Sequence, residues 1–203
     1  AKPTETPMTR FRYYSLFLLG GLILALFMVM LVWPERPNEP ASLPASTASA
    51  ALTEKGRYLA TIGNCVSCHT VEDGPQFGGG VAFYIAGGSF EQPMGTIYSS
   101  NISPDMKTGI GSWTQEEFSR AMRNGVSASG EHLYPVFPYT AFSKLNEEDM
   151  AAIYAYIMST GPVDYVPPRN NLPFPLNMRM NLRIWKLMFA DDEVYQPDRG
   201  QSD

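Results

Sequence analysis

The longest apolar run of the chain lies near its N-terminus. Residues 13–33 contain no Asp, Glu, Lys, Arg or His, and about 20 such residues in a helix match the roughly 30 Å hydrocarbon layer of a bilayer. Arg10 and Arg12 precede this run, whereas Glu35 follows it. By the positive-inside rule, the pattern predicts a single transmembrane helix with residues 1–12 in the cytoplasm and the remainder of the chain outside.

A cleaved signal peptide is the alternative to a retained anchor, with Ala48, Ser49 and Ala50 as its small-residue cleavage site. That site lies far beyond an overlong apolar run, so the anchor is favoured. A buried core helix fits less well because no polar stripe interrupts the run. The following residues 34–51 carry four prolines among Ala, Ser and Thr, and this composition predicts an extended linker.

Two helices are predicted in the first part of a folded domain over residues 52–162. The first spans residues 53–64, with a threonine N-cap. The second begins at Thr114, because Glu117 three residues later completes a capping box, and it ends before Gly125. Its predicted core face consists of Phe118, Ala121 and Met122.

A third helix is predicted to begin at Asn146 and to end before Gly161 and Pro162. Its predicted core face consists of Met150, Ile153, Tyr154 and Ile157. The Gly-rich stretch over residues 74–111 is too irregular for a regular sheet, and a loop of this length in a compact domain is expected to wrap a ligand. The predicted fold class is therefore all-α with long loops.

The composition limits the chemistry that this chain can support. The 203 residues carry a formal net charge of −5, which argues against nucleic acid as a partner because phosphate binding requires clustered Lys and Arg. The chain has two cysteines and two histidines. Any metal site must therefore use very few nitrogen and sulfur ligands.

Three of these four residues fall in one motif, in which Cys65 and Cys68 are followed directly by His69. C-x-x-C-H is the signature of c-type haem attachment: each thiol adds to one vinyl group, and the histidine binds the iron. A thioredoxin-like redox pair would need a βαβ pattern nearby, and structural zinc would need four well-spaced ligands. The motif therefore predicts covalent haem c, which also agrees with a domain outside the cytoplasm.

Around this motif, the sequence resembles the class I cytochrome c fold. It is similar to one haem domain of the multihaem cytochrome c subunits of bacterial membrane-bound alcohol and aldehyde dehydrogenases. The segments that carry this similarity are residues 95–105, 108–111, 132–139 and 172–177. Those subunits usually carry three haems, whereas this chain has a single attachment motif, so one covalent haem c is expected here.

The resemblance implies that the indole of Trp113 donates a hydrogen bond to a haem propionate, although simple core packing also explains a tryptophan at this position. Arg120 and Arg123 lie on the second predicted helix and have the charge to pair with propionates. A solvated helix face is the more economical interpretation for both arginines.

The sixth iron ligand is the point where this sequence departs from the resembled family. In that family a methionine within a Tyr-Pro-x-Met-Pro-Tyr segment usually fills the position, and Phe137 stands there in this chain. Met94 is the first candidate, since it lies in the predicted haem-wrapping loop, and simple packing near the haem is its alternative. His132 and Met178 are weaker candidates, and an open or partner-supplied position is a further alternative.

The C-terminal arm, residues 163–203, contains a short basic amphipathic helix. Its apolar residues repeat at helical spacing, and its basic residues fall on another face. The apolar set is Met178, Leu182, Trp185 and Phe189, and the basic set is Arg179, Arg183 and Lys186. Such a helix can lie on a bilayer surface, dock against a partner subunit or fold back on its own domain.

Together these features predict a membrane-anchored monohaem cytochrome of the bacterial inner membrane, with its haem domain in the periplasm. It would transfer single electrons from a periplasmic dehydrogenase to quinone or a terminal oxidase, without substrate chemistry or catalytic residues of its own. An alternative is an open-site haem protein that binds a small gas or peroxide. A weaker one is an assembly module with a mainly structural haem.

Overall fold

The structure, a computed structural model, describes residues 7–32, 49–87 and 94–190. The chain divides into two compact units, Ala1–Pro37 and Asn38–Asp203. Helix α1, Pro7–Val32, belongs to the first unit. Most of the predicted linker over residues 34–51 lies outside the described residues.

The predicted membrane anchor falls on α1. Apolar side chains along it, such as Leu19 and Leu22, are exposed. Among the residues that the structure describes, however, no helix has both the length and the apolar character to cross a membrane. Within the described residues, the predicted transmembrane helix over residues 13–33 and the single-pass inner-membrane location are therefore wrong.

The second unit contains six further helices and two strands within its described residues. In chain order they are α2 (Ala50–Ile62), α3 (Cys65–His69), β1 (Ala82–Ile85), β2 (Gly95–Tyr98), α4 (Gln115–Asn124), α5 (Tyr139–Phe142), α6 (Glu147–Met158) and α7 (Asn181–Phe189).

Local capping signals explain where these helices begin. The predicted capping box of α4 is confirmed, since the Thr114 hydroxyl accepts from the Glu117 amide and the Glu117 carboxylate accepts from the Thr114 amide. The predicted start of α6 is also confirmed, with Asn146 as its N-cap. Helix α2 begins earlier than predicted because the Ser49 hydroxyl, not that of Thr53, accepts the capping hydrogen bond.

The core forms where α2 crosses α6. Gly56 in α2 lies against the backbone of Ala152 in α6, so closely that a Cβ at Gly56 would overlap the Ala152 carbonyl. Absence of a side chain at Gly56 is what permits this crossing distance. The buried residues of this core are Ala60, Phe77, Ile110, Phe118, Met122, Met150, Ile153 and Ile157.

The stretch over residues 74–111 contains regular structure, contrary to the prediction. Strands β1 and β2 pair in antiparallel register, with Ala82 opposite Tyr98 and Ile85 opposite Gly95. The strictly all-α fold class is therefore wrong. Both strands are rich in aromatic and β-branched residues, which favour a pleated, half-buried surface. The glycines that surround these short strands conceal this preference in the sequence.

Substitution of Gly56 by alanine tests the helix crossing. Alanine raises helix propensity by about 1 kcal/mol, but here its methyl group would overlap the Ala152 carbonyl. Overpacking of this kind costs about 1–3 kcal/mol, so we expect Gly56→Ala to lower the free energy of unfolding. Urea unfolding measures this change. Gly161→Ala is the control, because open space surrounds that position; equal effects at both sites would contradict the explanation.

Candidate haem site

The short helix α3 presents the three residues of the predicted attachment motif on five consecutive positions, Cys65–His69. Asn64, between α2 and α3, adopts a left-handed conformation with φ of 62°, which asparagine tolerates better than most residues. Its side-chain oxygen accepts a hydrogen bond from the Ser67 hydroxyl at 2.7 Å. This turn redirects the chain, so that α3 begins directly after the helix that crosses α6.

The imidazole of His69 is oriented by a backbone carbonyl. Its Nδ1 lies 2.7 Å from the carbonyl oxygen of Ser100, and only a protonated Nδ1 can donate to that acceptor. Burial lowers the pKa of His69, and the hydrogen bond to Ser100 opposes that shift. The neutral ring therefore keeps a lone pair on Nε2, the arrangement that metal-binding histidines use.

The two cysteines do not have the properties of a thioredoxin-like pair. Burial raises the pKa of the Cys65 thiol to about 11. Redox-active C-x-x-C motifs instead depend on a thiol pKa that is lowered to favour the thiolate. The raised pKa of Cys65 therefore does not match a thioredoxin-like redox pair.

A cavity of about 350 Å³ lies beside α3, within the usual range for a ligand pocket. Cys68 and His69 form part of its wall, and Cys65 packs against the adjoining core. Large apolar residues form much of the remaining wall, among them Phe83, Ile97, Ile102, Ile110, Trp113, Phe118, Leu133, Val136 and Phe137. The Cys68 thiol and the His69 imidazole line an apolar cavity, and the Cys65 thiol lies three residues before Cys68 in the same short helix. This donor set fits haem c.

The structure brings Cys68, His69 and Trp113 together around this cavity. Met94 is not among the residues that line it. The Met94 methyl group and sulfur pack against Gly87, and the residue is 43% exposed. Ligation by Met94 stays a prediction, as does the hydrogen bond from Trp113 to a propionate.

The two arginines considered as propionate partners, Arg120 and Arg123, also lie outside the cavity wall. Arg123 donates to the Ser143 carbonyl and to the Glu147 carboxylate, both at 2.9 Å. Arg120 donates to the Ser127 carbonyl at 3.3 Å. These contacts belong to the packing between loops and helices of the domain, and neither guanidinium lines the cavity.

The other candidate ligands, His132 and Met178, meet the C-terminal arm or solvent. His132 Nδ1 lies 2.8 Å from the Nζ of Lys186 in α7, and Met178 is partly exposed. Helix α7 packs on its own domain, with the Trp185 ring 6.0 Å from the Tyr139 ring. Of the three arrangements predicted for this helix, the structure shows the one in which it folds back on its own domain.

Residues that the sequence interpretation missed join the arm to the cavity. The buried Asn101 amide donates to the carbonyls of Val163 at 2.7 Å and Tyr165 at 3.0 Å. Asn170 accepts from the backbone amide of Tyr98 at 2.9 Å. Arg179, also in the arm, lines the cavity. No local spacing links these positions, although Asn101 stands within a segment that carried the family resemblance.

With this geometry established, the class of the protein is clear: the chain belongs to the cytochrome c family. The family model described as Cytochrome c matches residues 53–161, which run from within α2 to just beyond α6. Members of this family hold haem c covalently. The sequence-based resemblance to cytochrome subunits of dehydrogenases is also confirmed by individual relatives.

Three relatives illustrate the similarity. A nicotinate dehydrogenase subunit of Pseudomonas putida is 41% identical over 202 residues, which cover 98% of this chain and 16% of that protein. The gluconate 2-dehydrogenase cytochrome c subunit of Pantoea cypripedii is 42% identical over 159 residues, with 77% and 34% covered. The fructose dehydrogenase cytochrome subunit of Gluconobacter japonicus is 44% identical over 154 residues, with 75% and 30% covered. The chain thus spans about a third or less of each relative.

Asp105 organises the loop beside the cavity and generates a prediction of pH dependence. Its Oδ1 accepts hydrogen bonds from the Thr108 amide and hydroxyl and from the Lys107 amide. These bonds, led by that of the Thr108 amide, hold the pKa of Asp105 below its ordinary 3.8. The stabilisation is therefore fully present above about pH 4 and is lost as the pH falls through the lower, folded-state pKa.

We expect Asp105→Asn to have a lower free energy of unfolding than the unaltered chain at pH 7. The two free energies should converge as the pH falls below 3.8, because protonation of Asp105 in the unaltered chain removes the same charge. Urea unfolding at a series of pH values measures the difference in free energy of unfolding. The exposed Asp164→Asn variant controls for net charge. A difference that stays constant down to pH 2 would show that the carboxylate charge has no such role.

Proposed function

We propose that this chain is a monohaem electron-transfer subunit in which the thiols of Cys65 and Cys68 form thioether bonds with one haem and His69 binds its iron. The observation that carries this proposal is the geometry of α3: His69, oriented through Nδ1 by Ser100, stands beside Cys68 at an apolar cavity. Bound haem supplies a one-electron couple.

The residues of the chain set the conditions for that couple. The Ser100 carbonyl fixes the tautomer of His69 and raises the basicity of the ligating nitrogen. The apolar residues of the cavity exclude water and lower the local dielectric, and both effects influence a haem potential. Transfer of an electron requires no general acid, base or nucleophile from the protein.

The partner in this proposal is a periplasmic dehydrogenase. This chain would accept electrons from it and pass them to quinone or a terminal oxidase. The relatives support it, because their names describe subunits of nicotinate, gluconate and fructose dehydrogenases. Association with membrane components would come through these partners.

Covalent attachment is tested by denaturation of the haem-loaded protein in acidified organic solvent. We expect the red pigment to stay with the polypeptide, because thioether bonds survive unfolding, and to separate from a Cys65→Ser/Cys68→Ser double variant. The pyridine haemochrome spectrum of each fraction gives the measurement. An optical redox titration completes the test: pigment that washes out of the unaltered chain, or a chain without a reversible haem couple, contradicts the proposal.

A second candidate function, binding of a small exogenous ligand, is favoured by the residues that line the cavity. Phe137 occupies the wall at the position of the family methionine, and its ring stacks on Phe142 at a centroid distance of 5.4 Å. Within the described part of the chain, the cavity wall contains no methionine and no histidine besides His69. A haem held there would keep an accessible coordination position unless Met94 moved towards it.

The ferric absorption spectrum separates the two candidates when the chain is compared with a Met94→Leu variant. An open position predicts the same high-spin spectrum for both proteins and carbon monoxide binding by both reduced forms. Ligation by Met94 instead predicts a near-infrared sulfur-to-iron band in the unaltered chain and its loss in Met94→Leu. Met106→Leu, at another exposed methionine, is the matched control and is expected to change neither spectrum.

A further inference from the structure

The cavity has an asymmetric distribution of charge. Of the described residues that line it, Arg179 is the one with a permanently charged side chain; the others are apolar or neutral apart from the titratable Cys68 and His69. Arg179 belongs to the arm, beyond residues 53–161 that match the family model. A feature outside the family domain thus places a cation at the haem site.

Two contacts hold the side chain of Arg179 in place, and a third holds the Tyr134 ring on which it lies. Its Nη1 donates to the His132 carbonyl at 2.7 Å, and its guanidinium carbon lies 4.9 Å from the centre of the Tyr134 ring. The Tyr134 hydroxyl in turn donates to the Leu176 carbonyl at 3.0 Å, three residues before Arg179. A guanidinium has five N–H donors, so this orientation leaves donors for a ligand in the cavity.

The chemistry of haem determines what such a cation recognises. Haem carries two propionate side chains, and a carboxylate in an apolar cavity is strongly destabilised unless it is paired. The planar guanidinium is the side chain that best matches a carboxylate, through two parallel hydrogen bonds. We propose that Arg179 pairs with a propionate of the bound haem and raises its reduction potential, an inference that rests on the proposed function.

The direction of the effect follows from charge. Ferric haem has one more positive charge than ferrous haem, so a nearby cation destabilises the oxidised form relative to the reduced form. Arg179 also neutralises a propionate that would otherwise stabilise the ferric iron. Both effects have the same sign, and loss of the guanidinium therefore lowers the potential.

Three other described cations, Arg120, Arg123 and Lys186, are engaged elsewhere. Arg120 and Arg123 donate to carbonyls of neighbouring loops and do not line the cavity. Lys186, which is buried, donates to the Gly125 carbonyl at 3.1 Å and lies beside His132. Arg169 is exposed on the same arm and does not line the cavity, which makes it the matched control for a change in net charge.

The experiment compares midpoint potentials of the full haem-loaded chain, Arg179→Gln, Arg179→Lys and Arg169→Gln by optical redox titration. For Arg179→Gln we expect the reduced-to-oxidised ratio at a fixed ambient potential to fall about tenfold, or about 59 mV for one electron. Arg179→Lys keeps the charge and is expected to recover most of this loss. Arg169→Gln is expected to shift the potential by much less.

A potential that falls no further in Arg179→Gln than in Arg169→Gln overturns the inference. If Arg179→Gln does not accumulate with haem, resonance Raman spectra of Arg179→Lys carry the test. The propionate bending band, which responds to hydrogen bonding of the carboxylate, is expected to shift in Arg179→Lys and to stay unchanged in Arg169→Gln; an unshifted band in both overturns the inference. Failure of the proposed function is distinguishable, because the unaltered chain would then lack covalent haem or a redox couple.

Discussion

The close approach of α2 to α6 is the constraint on which the haem site depends. Gly56 permits backbone contact with Ala152, and this contact fixes the direction in which α2 ends. A left-handed turn at Asn64 then starts α3, so the position of His69 follows from the crossing of two helices that are distant in sequence. The attachment motif supplies the chemistry, and the crossing supplies its orientation.

A second set of contacts joins the loop beside His69 to the C-terminal arm. Asn101 follows directly after Ser100, whose carbonyl orients His69, and its buried amide holds the backbone of Val163 and Tyr165. Backbone groups buried in a loop must find partners, and one asparagine satisfies several of them. The same residue thus stabilises the loop and brings the start of the arm towards the cavity, which explains why the arm contributes to the wall.

The sequence was sufficient for several elements whose determinant is local, although the local Ser49 cap of α2 was missed. Helix α4 follows from its capping box, α6 from the Asn146 N-cap, and the attachment motif from five adjacent residues. The pairing of β1 with β2 and the return of α7 to Tyr139 depend on contacts between distant segments, which residue spacing does not encode. The run over residues 13–33 showed the opposite failure: apolar composition alone predicted a spanning helix, and the described residues contain none that is long and apolar enough.

This division between local and distant determinants has a functional consequence. The predicted attachment motif occupies only five adjacent residues. Phe137 and Arg179, by contrast, come from separate segments that meet at the cavity only in the folded chain. Axial ligation and nearby charge are strong influences on haem potential. Under the proposed function, these distant segments, and not the motif, would therefore set the potential of the bound haem.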